Sequence, residues 1–381
     1  MMPTPTVLHV LEALGGGTAK HLIDVVTHTT AVRHEVAVPR RRVRWLSDDQ
    51  AVDSLAAAGA VVHIVEMRRE PAHPFNLGAM AQVRRLIHSR RPDIVHAHSS
   101  VGGAVGRIAA TGTGAARMYT ANGVATGRVS LTLERVLARL TDHTVAVSES
   151  EGQRMLELGL AQPATLTVIP NGIDLARPAH RTMRLRDDFG IPHGVPLVGG
   201  LARLVPQKSP EIFVRACALV ARRHPDAHFL LIGSGVLEKR VRAEIQRLGL
   251  AARFHLHPEF DSPSSVLDEL DVFLSTSRFE GGPYAPLEAM RAGVPVVLTD
   301  VVGNRDVVEH GVTGFLAPID DVDGLAEWVD RLVADSRLKK SVTEAATKRL
   351  TARFDARAMG AALGDLYLRV GARPGDASAR R

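Results

Sequence analysis

Short apolar runs separated by helix-sized segments constrain the fold of this 381-residue chain more than any other feature. In the first half they are TVLHVL, HEVAV, AVVHIV, DIVHAH, ARMYT, HTVAVS and LTVIP. In the second they are PLVGGLA, HFLLIG, RFHLH, DVFLSTS and VPVVLT. A strand that reaches its neighbour through a helix runs parallel to it, so the pattern predicts βαβ units and parallel sheets. Aromatic residues make up only 4% of the chain while hydrophobic residues make up 45%. Val, Leu, Ala and Ile must therefore fill the cores, as they do where parallel sheets lie under Ala- and Leu-rich helices. The length admits two domains. Between the two series lies RPAHRTMRLRDDFGIPHGVP, charged and broken by proline. The expected division is a first domain over 1–175, a linker over 176–195 and a second domain over 196–350. A further amphipathic helix follows over 351–370, and a polar tail over 371–381 is expected to fray.

Several function classes recede on composition. The single cysteine, Cys217, excludes an intramolecular disulfide and fits a reducing compartment. It lies in the run EIFVRACALV and reads as core. The opening MMPTPTVLHVLEAL lacks a basic leader and reads as a strand rather than a signal peptide. No uncharged apolar run approaches the roughly 18 residues that span a bilayer. A cytoplasmic location follows. The formal net charge is +6, and PRRRVRW, Arg40 to Trp45, with Arg84, Arg85, Arg90 and Arg91, concentrates arginine in the first half. No nucleic-acid motif accompanies it, so no nucleic-acid partner is expected. The choices are a solvated basic face or a patch for anionic lipid at the inner face of the plasma membrane.

The chemistry concentrates in FLSTSRFEGGPYAPLEAMRAGVPVVLTD, Phe273 to Asp300. DVFLSTS reads as a buried strand and APLEAMRAG as a short helix with Pro286 near its start. Glu280 then sits in the strand-to-helix loop and Glu288 in the first helical turn, at the carboxyl end of a strand, where open α/β sheets bind ligands. Gly281 and Gly282, with the turn through Pro283, Tyr284 and Ala285, offer backbone N–H groups to an anion or hydroxyl. Carboxylates beside such a turn suit a ligand both hydroxylated and phosphorylated, such as a nucleotide sugar.

This stretch resembles the signature of the retaining glycosyltransferases of family four, which have the two-domain GT-B fold: two Rossmann-like domains whose parallel sheets face a central cleft. The family pattern is two glutamates separated by seven residues, as Glu280 and Glu288 are. EALGGGTAKHLIDVV resembles the family's amino-terminal GG-x-x-x-H, with Gly16, Gly17 and His21. VAVSESEGQRMLELGL and VIPNGID also match in order, so the resemblance covers nearly the whole chain. It implies that Arg203 and Lys208, in PLVGGLARLVPQKSPEIFVRA, hold the donor diphosphate and stabilise its departing charge. Glu288 would bind the ribose, Glu280 the donor sugar, and the Gly16–Gly17 backbone would close over the phosphates. Gly233 and Gly235, permitting close backbone approach, and the HLHPEFDS loop with His257, Pro258 and Phe260, would enclose the nucleobase. His98 would border the acceptor side. The final helix would pack back on the first domain.

The sequence departs from the family at RMYTANGVATG, where Asn122 stands in place of a common histidine. Asparagine donates and accepts hydrogen bonds but carries no charged proton, so the donor sugar at this position is expected to be unusual. His96 with His98, and His255 with His257, alternate along strands and share a face; buried or cleft-lining histidines are favoured over metal ligation. Asp321-Val322-Asp323 reads as a helix cap rather than a metal motif.

The expected function is retaining transfer of a sugar from a nucleoside-diphosphate sugar to an acceptor hydroxyl, a lipid-linked or polysaccharide precursor among the candidates. No cofactor or metal is called for. The rivals are a sugar-nucleotide epimerase of related fold and a non-catalytic basic module for nucleic acid or anionic lipid.

Overall fold

A computed structural model describes residues 4–40, 49–68, 70, 73–124, 127–176, 184–258 and 263–371. The chain divides into two compact units, Met1–Asp174 with Asp355–Arg381, and Leu175–Phe354.

Among its described residues the first unit has seven parallel strands: β1 (Thr6–Val10), β2 (Arg33–Val38), β3 (Val61–Ile64), β4 (Ile94–His98), β5 (Ala116–Thr120), β6 (His143–Ala146) and β7 (Leu166–Val168). Their order is β3-β2-β1-β4-β5-β6-β7. The chain winds outward from β1 to β3, crosses back, and winds the other way from β4. The switch point therefore falls between β1 and β4. Both faces are covered, which is why these strands read as continuous apolar runs: Leu8, Val10, Val36 and Val95 are fully buried. The helix Ala356–Gly371 belongs to this unit and buries Met359, Leu363, Leu366 and Tyr367 with Val7, Ile94 and Met118.

Among its described residues the second unit has six parallel strands: β8 (Leu197–Leu201), β9 (His228–Ile232), β10 (Phe254–His257), β11 (Val272–Ser275), β12 (Val296–Thr299) and β13 (Phe315–Ala317). Their order, β10-β9-β8-β11-β12-β13, puts the switch point between β8 and β11. Phe213, Cys217, Phe229, Val272 and Val297 form part of its core. β13 was not expected from sequence: its three residues are too few for a period to show.

Residues 184–195, part of the expected linker, fold into the second unit. Leu185 is fully buried, and the Glu269 carboxylate accepts hydrogen bonds from the Leu185 and Arg186 amides at 2.9 and 3.0 Å. Asp321 caps the helix Val322–Ala334, accepting from the Gly324 amide at 2.9 Å. Of the expected basic patch, residues 41–45 lie outside the described residues. Arg84 Nη1 donates to the Ala109 and Thr111 carbonyls, and Arg90 pairs with Glu35, so both help hold the first unit together.

Candidate functional site

In the second unit the site forms at the carboxyl ends of β8 and β11, the strands flanking the switch point. The loop leaving β8 closes with a turn of 3-10 helix, Pro206–Lys208, and Ser209 takes the left-handed conformation at φ 45° before the helix Pro210–Arg223 begins. Thr276, just beyond β11, donates its hydroxyl to the Lys208 and Ser209 carbonyls at 2.9 and 3.0 Å. Gln207 completes the tie. Its carbonyl accepts from the Arg278 amide at 2.8 Å, its Nε2 donates to the Phe279 carbonyl at 3.0 Å, and its Oε1 accepts from Arg203 Nη2 at 3.4 Å. Lys208 Nζ reaches Glu280 Oε1 at 2.5 Å. Arg203 is thus tied to Gln207 in the loop that carries Lys208, and Lys208 and Glu280 neutralise each other. Glu280 is 9% exposed and the Lys208 side chain 20% exposed, so the pair is screened only partly. Gln207 was not singled out from sequence; an amide beside a lysine carries no signal of its own.

Glu288 departs slightly from expectation. The helix runs Tyr284–Arg291 with Pro283 as its cap, so Glu288 is its fifth residue and lies past the first turn. Gly282 and Ala285 are half-buried, whereas Pro283 and Tyr284 are buried.

The glycines after β9 do permit close backbone approach, and the neighbour they meet in this structure is a loop of the same unit. Gly233 has φ +142°, and a Cβ there would meet the Ala202 carbonyl oxygen at 2.0 Å; one on Gly235 would meet the Leu204 carbonyl oxygen at 2.4 Å. The close approach is to the loop that carries Arg203, cross-linked by Ala202 N–H to Ile232 and Leu204 N–H to Ser234, both 2.9 Å. Gly233 and Gly235 therefore seat the cationic loop. Gly303, not singled out from sequence, does the same on the other side. Its φ is +83°, and a Cβ would lie 2.5 Å from the Gly281 carbonyl oxygen and 3.3 Å from Glu280 Cβ. His257 ends β10, half-buried, its ring 5.8 Å from that of Phe189. Phe260 lies outside the described residues.

In the first unit the carboxyl ends of β1, β4 and β5 gather polar groups. The helix begins at Gly16, with Gly15 as its cap and Gly16 and Gly17 exposed. His21 is buried and its Nδ1 sits 2.9 Å from Asn171 Oδ1, which gives Asn171 of VIPNGID a role that sequence alone did not show. Asn122 takes φ +54°, a conformation asparagine tolerates better than most residues. Its Nδ2 is buried without a hydrogen-bond partner. Glu151, fully buried, fixes this loop by accepting from the Gly123 and Val147 amides at 2.7 and 2.8 Å.

His98 ends β4 and is the last ring of a buried cluster. His98 Nε2 lies 3.0 Å from His9 Nδ1, His9 Nε2 lies 3.0 Å from His34 Nδ1, and His34 Nε2 lies 2.7 Å from the Thr29 carbonyl oxygen. His96, its ring 4.1 Å from that of His98, bonds Tyr367 Oη at 2.7 Å and Thr120 Oγ1 at 2.8 Å. Burial disfavours the charged imidazolium, holding His9, His96 and His98 well below the ordinary histidine range. Burial also lowers His21 to about 4, although Asn171 pulls the other way. One nitrogen each of His9, His96 and His98 lies within 4.8 Å of the others. Both nitrogens of His9 and of His96 are already hydrogen-bonded, so in this arrangement the trio presents only one bare lone pair, on His98 Nδ1.

Comparison with known proteins places these features in a family. Residues 15–177 match the sequence model described as Glycosyltransferase Family 4, and residues 182–349 match Glycosyl transferases group 1. The chain is 29% identical over 278 residues to the UDP-Gal:alpha-D-GlcNAc-diphosphoundecaprenol alpha-1,3-galactosyltransferase of Escherichia coli, covering 69% of this chain and 72% of that one. It is 24% identical over 364 residues to the capsular polysaccharide biosynthesis glycosyltransferase CapM of Staphylococcus aureus, covering 91% and 96%. Among solved structures, Anabaena Alr3699/HepE in complex with UDP and glucose superposes with a TM-score of 0.82 at 21% identity, covering 96% of this chain and all of that one. Sucrose-phosphate synthase from Thermosynechococcus elongatus does so with a TM-score of 0.81 at 18% identity, covering 97% and 99%. Both likenesses are of fold.

Proposed function

The chain belongs to the family four, group 1 glycosyltransferases, and from that premise we propose that it moves a sugar from a nucleoside diphosphate to an acceptor hydroxyl with the anomeric configuration retained. The observation that carries the reading is the Lys208–Glu280 contact at the switch point of the second sheet, 2.5 Å long and braced by Gln207 and Thr276. A cation and a carboxylate held on adjacent rigid loops form a neutral socket. An arriving diphosphate competes with Glu280 for the Lys208 ammonium, and Glu280 is released to accept a hydroxyl of the donor sugar. Arg203, braced on Gln207, adds a second cation. As the glycosidic bond breaks, negative charge grows on the departing diphosphate, and fixed cations oppose it more strongly there than in the ground state. Glu288 takes the ribose hydroxyls. Arg203 and Lys208 supply the charge that a metal ion would otherwise provide, so transfer proceeds without added metal. Alignment supplies the rest.

HepE holds UDP and glucose, which makes a uridine diphosphate sugar the first donor to try. The Escherichia coli relative acts on a diphosphoundecaprenol-linked sugar and the Staphylococcus aureus relative serves capsular polysaccharide biosynthesis, which favours a lipid-linked acceptor and peripheral contact with an anionic membrane. Among the described residues no helix is long and apolar enough to cross a membrane. Neither the epimerase nor the basic binding module draws support from these relatives.

The test is product analysis. The protein is incubated with individual UDP-sugars and a short-chain polyprenyl-diphospho-N-acetylglucosamine, and the anomeric proton couplings of donor and product are compared. Transfer with the donor's configuration kept supports the reading. Inversion, or conversion of the donor sugar without an acceptor, refutes it.

A further inference from the structure

The histidine cluster of the first unit has a direction. A backbone carbonyl can only accept, so His34 must carry its proton on Nε2 to donate to Thr29. Neutral imidazole has one N–H, so His34 Nδ1 is an acceptor and His9 must donate from Nε2. His9 Nδ1 is then bare and His98 must donate from Nε2. His98 Nδ1 is left as an unprotonated lone pair. It is buried and has no hydrogen-bond partner. Burial keeps these rings neutral, so the logic is not blurred by a second ring proton. β2, β1 and β4 each contribute one ring.

Beside it, the neighbouring His21 obeys the same rule. Asn171 Oδ1 accepts, so His21 donates from Nδ1, and its Nε2 is a second buried lone pair without a partner. The rings of His21 and His98 stand edge to face with centroids 5.6 Å apart. A buried acceptor left unpaired is costly. Two neighbouring ones, at the switch point of a parallel sheet, describe a place for a group that brings its own O–H.

We propose that His34 and His9 are positioning residues: anchored on the Thr29 carbonyl, they fix His98 in the Nε2–H tautomer, so that Nδ1 accepts a hydrogen bond from a hydroxyl bound in the first unit. The tautomer order stands on the hydrogen bonds alone. Its use, reception of an acceptor hydroxyl, rests on the glycosyl-transfer reading above. A metal on the His9, His96 and His98 nitrogens would require both the His34–His9–His98 chain and a His96 bond to break.

Nitrogen-15 NMR of histidine-labelled full-length protein, without ligand, reads the tautomers directly. The His98 signal is assigned by its loss in His98→Gln. The expected wild-type result is His98 protonated on Nε2 and bare on Nδ1. In His34→Phe the anchor is gone, and His9 Nε2–H has no acceptor. With either orientation of the two rings leaving one buried N–H unpaired, the tautomer is no longer fixed, and the His98 nitrogen shifts should move toward those of a mixture of the two neutral forms. His34→Gln can donate to Thr29 and accept from His9, so it should keep the wild-type tautomer. A wild-type His98 protonated on Nδ1, or a His98 signature unchanged in His34→Phe, overturns the relay. The wild-type spectrum decides even where a variant fails to fold. None of this depends on turnover, so failure of the relay and failure of the transferase reading are separable. In the transfer assay His34→Phe should raise the acceptor KM by about tenfold, the worth of one hydrogen bond, leave the donor KM unchanged, and be rescued by His34→Gln. An equal rise in both KM values would overturn the link to the acceptor.

Discussion

Acidification should unfold the first unit before the second. His9, His21, His96 and His98 are fully buried and neutral in the folded protein, His21 with a pKa of about 4 and the others well below the ordinary 6.5. In the unfolded chain each titrates near 6.5. Below that pH the unfolded state binds protons that the native state refuses, so stability is complete above about 6.5 and falls as pH drops toward the folded values. At pH 5.5 the loss is a little over 1 kcal/mol per group, or about 4 to 6 kcal/mol for the four. Domains of ordinary stability hold only about 5–15 kcal/mol in total. The second unit has its lowered histidines at His228 and His255, both incompletely buried, and should lose less. Guanidinium unfolding at pH 7.5, 6.5 and 5.5, followed by hydrogen exchange in peptides from β1 and β4 against β8 and β11, measures both. His21→Gln removes one titrating group and should recover about 1 kcal/mol of the loss. A first unit whose stability changes by less than about 1 kcal/mol over this range, or a second unit that opens first, would refute the reasoning.

Other perturbations act on the donor socket. Glu280→Gln preserves shape and should hold stability to within about 1 kcal/mol while lowering kcat by about 100-fold or more; calorimetric unfolding and a transfer assay check it. Lys208→Met leaves the buried Glu280 carboxylate without its cation and should cost about 1–3 kcal/mol, partly regained in Lys208→Met/Glu280→Gln, with activity lost in both. Gly233→Ala forces a Cβ onto the Ala202 carbonyl and should cost about 3 kcal/mol or more. Gly303→Ala pushes on Gly281 and should weaken nucleotide binding by about tenfold or more at a smaller stability cost; titration calorimetry separates the two effects. Vesicles containing phosphatidylglycerol should co-sediment the protein in low salt and release it as salt rises, whereas equal binding to neutral vesicles would remove the electrostatic account.

Among the described residues, twelve of the thirteen strands could be read because the central strands are buried on both faces and even the edge strands keep short, mainly apolar runs between helix-sized segments. β13 escaped because three residues between Gly314 and Pro318 show no period. Arg203, Lys208 and Glu280 were singled out together through the resemblance to family four, and the structure adds that their loops follow β8 and β11, neighbours at the switch in strand order. What each loop glycine faces was not legible. Gly233 reads equally well as room for a ligand or for another loop, and only the position of Ala202 decides. Gln207 acts through the backbone of Phe279 and Glu151 through that of Gly123, partners that local sequence does not reveal. The His34–His9–His98 chain joins three strands, and the alternation of His96 and His98 shows only one of them.

The central claim is that the second unit binds the diphosphate of a sugar nucleotide at Lys208. Titration calorimetry of the purified protein with UDP, GDP, ADP and TDP, with and without EDTA, and again in Lys208→Ala, tests it most directly. Selective binding of one nucleotide, unchanged by EDTA and lost in Lys208→Ala although the variant remains folded, is the predicted result. Binding that needs metal, or that survives in Lys208→Ala at full strength, would contradict it.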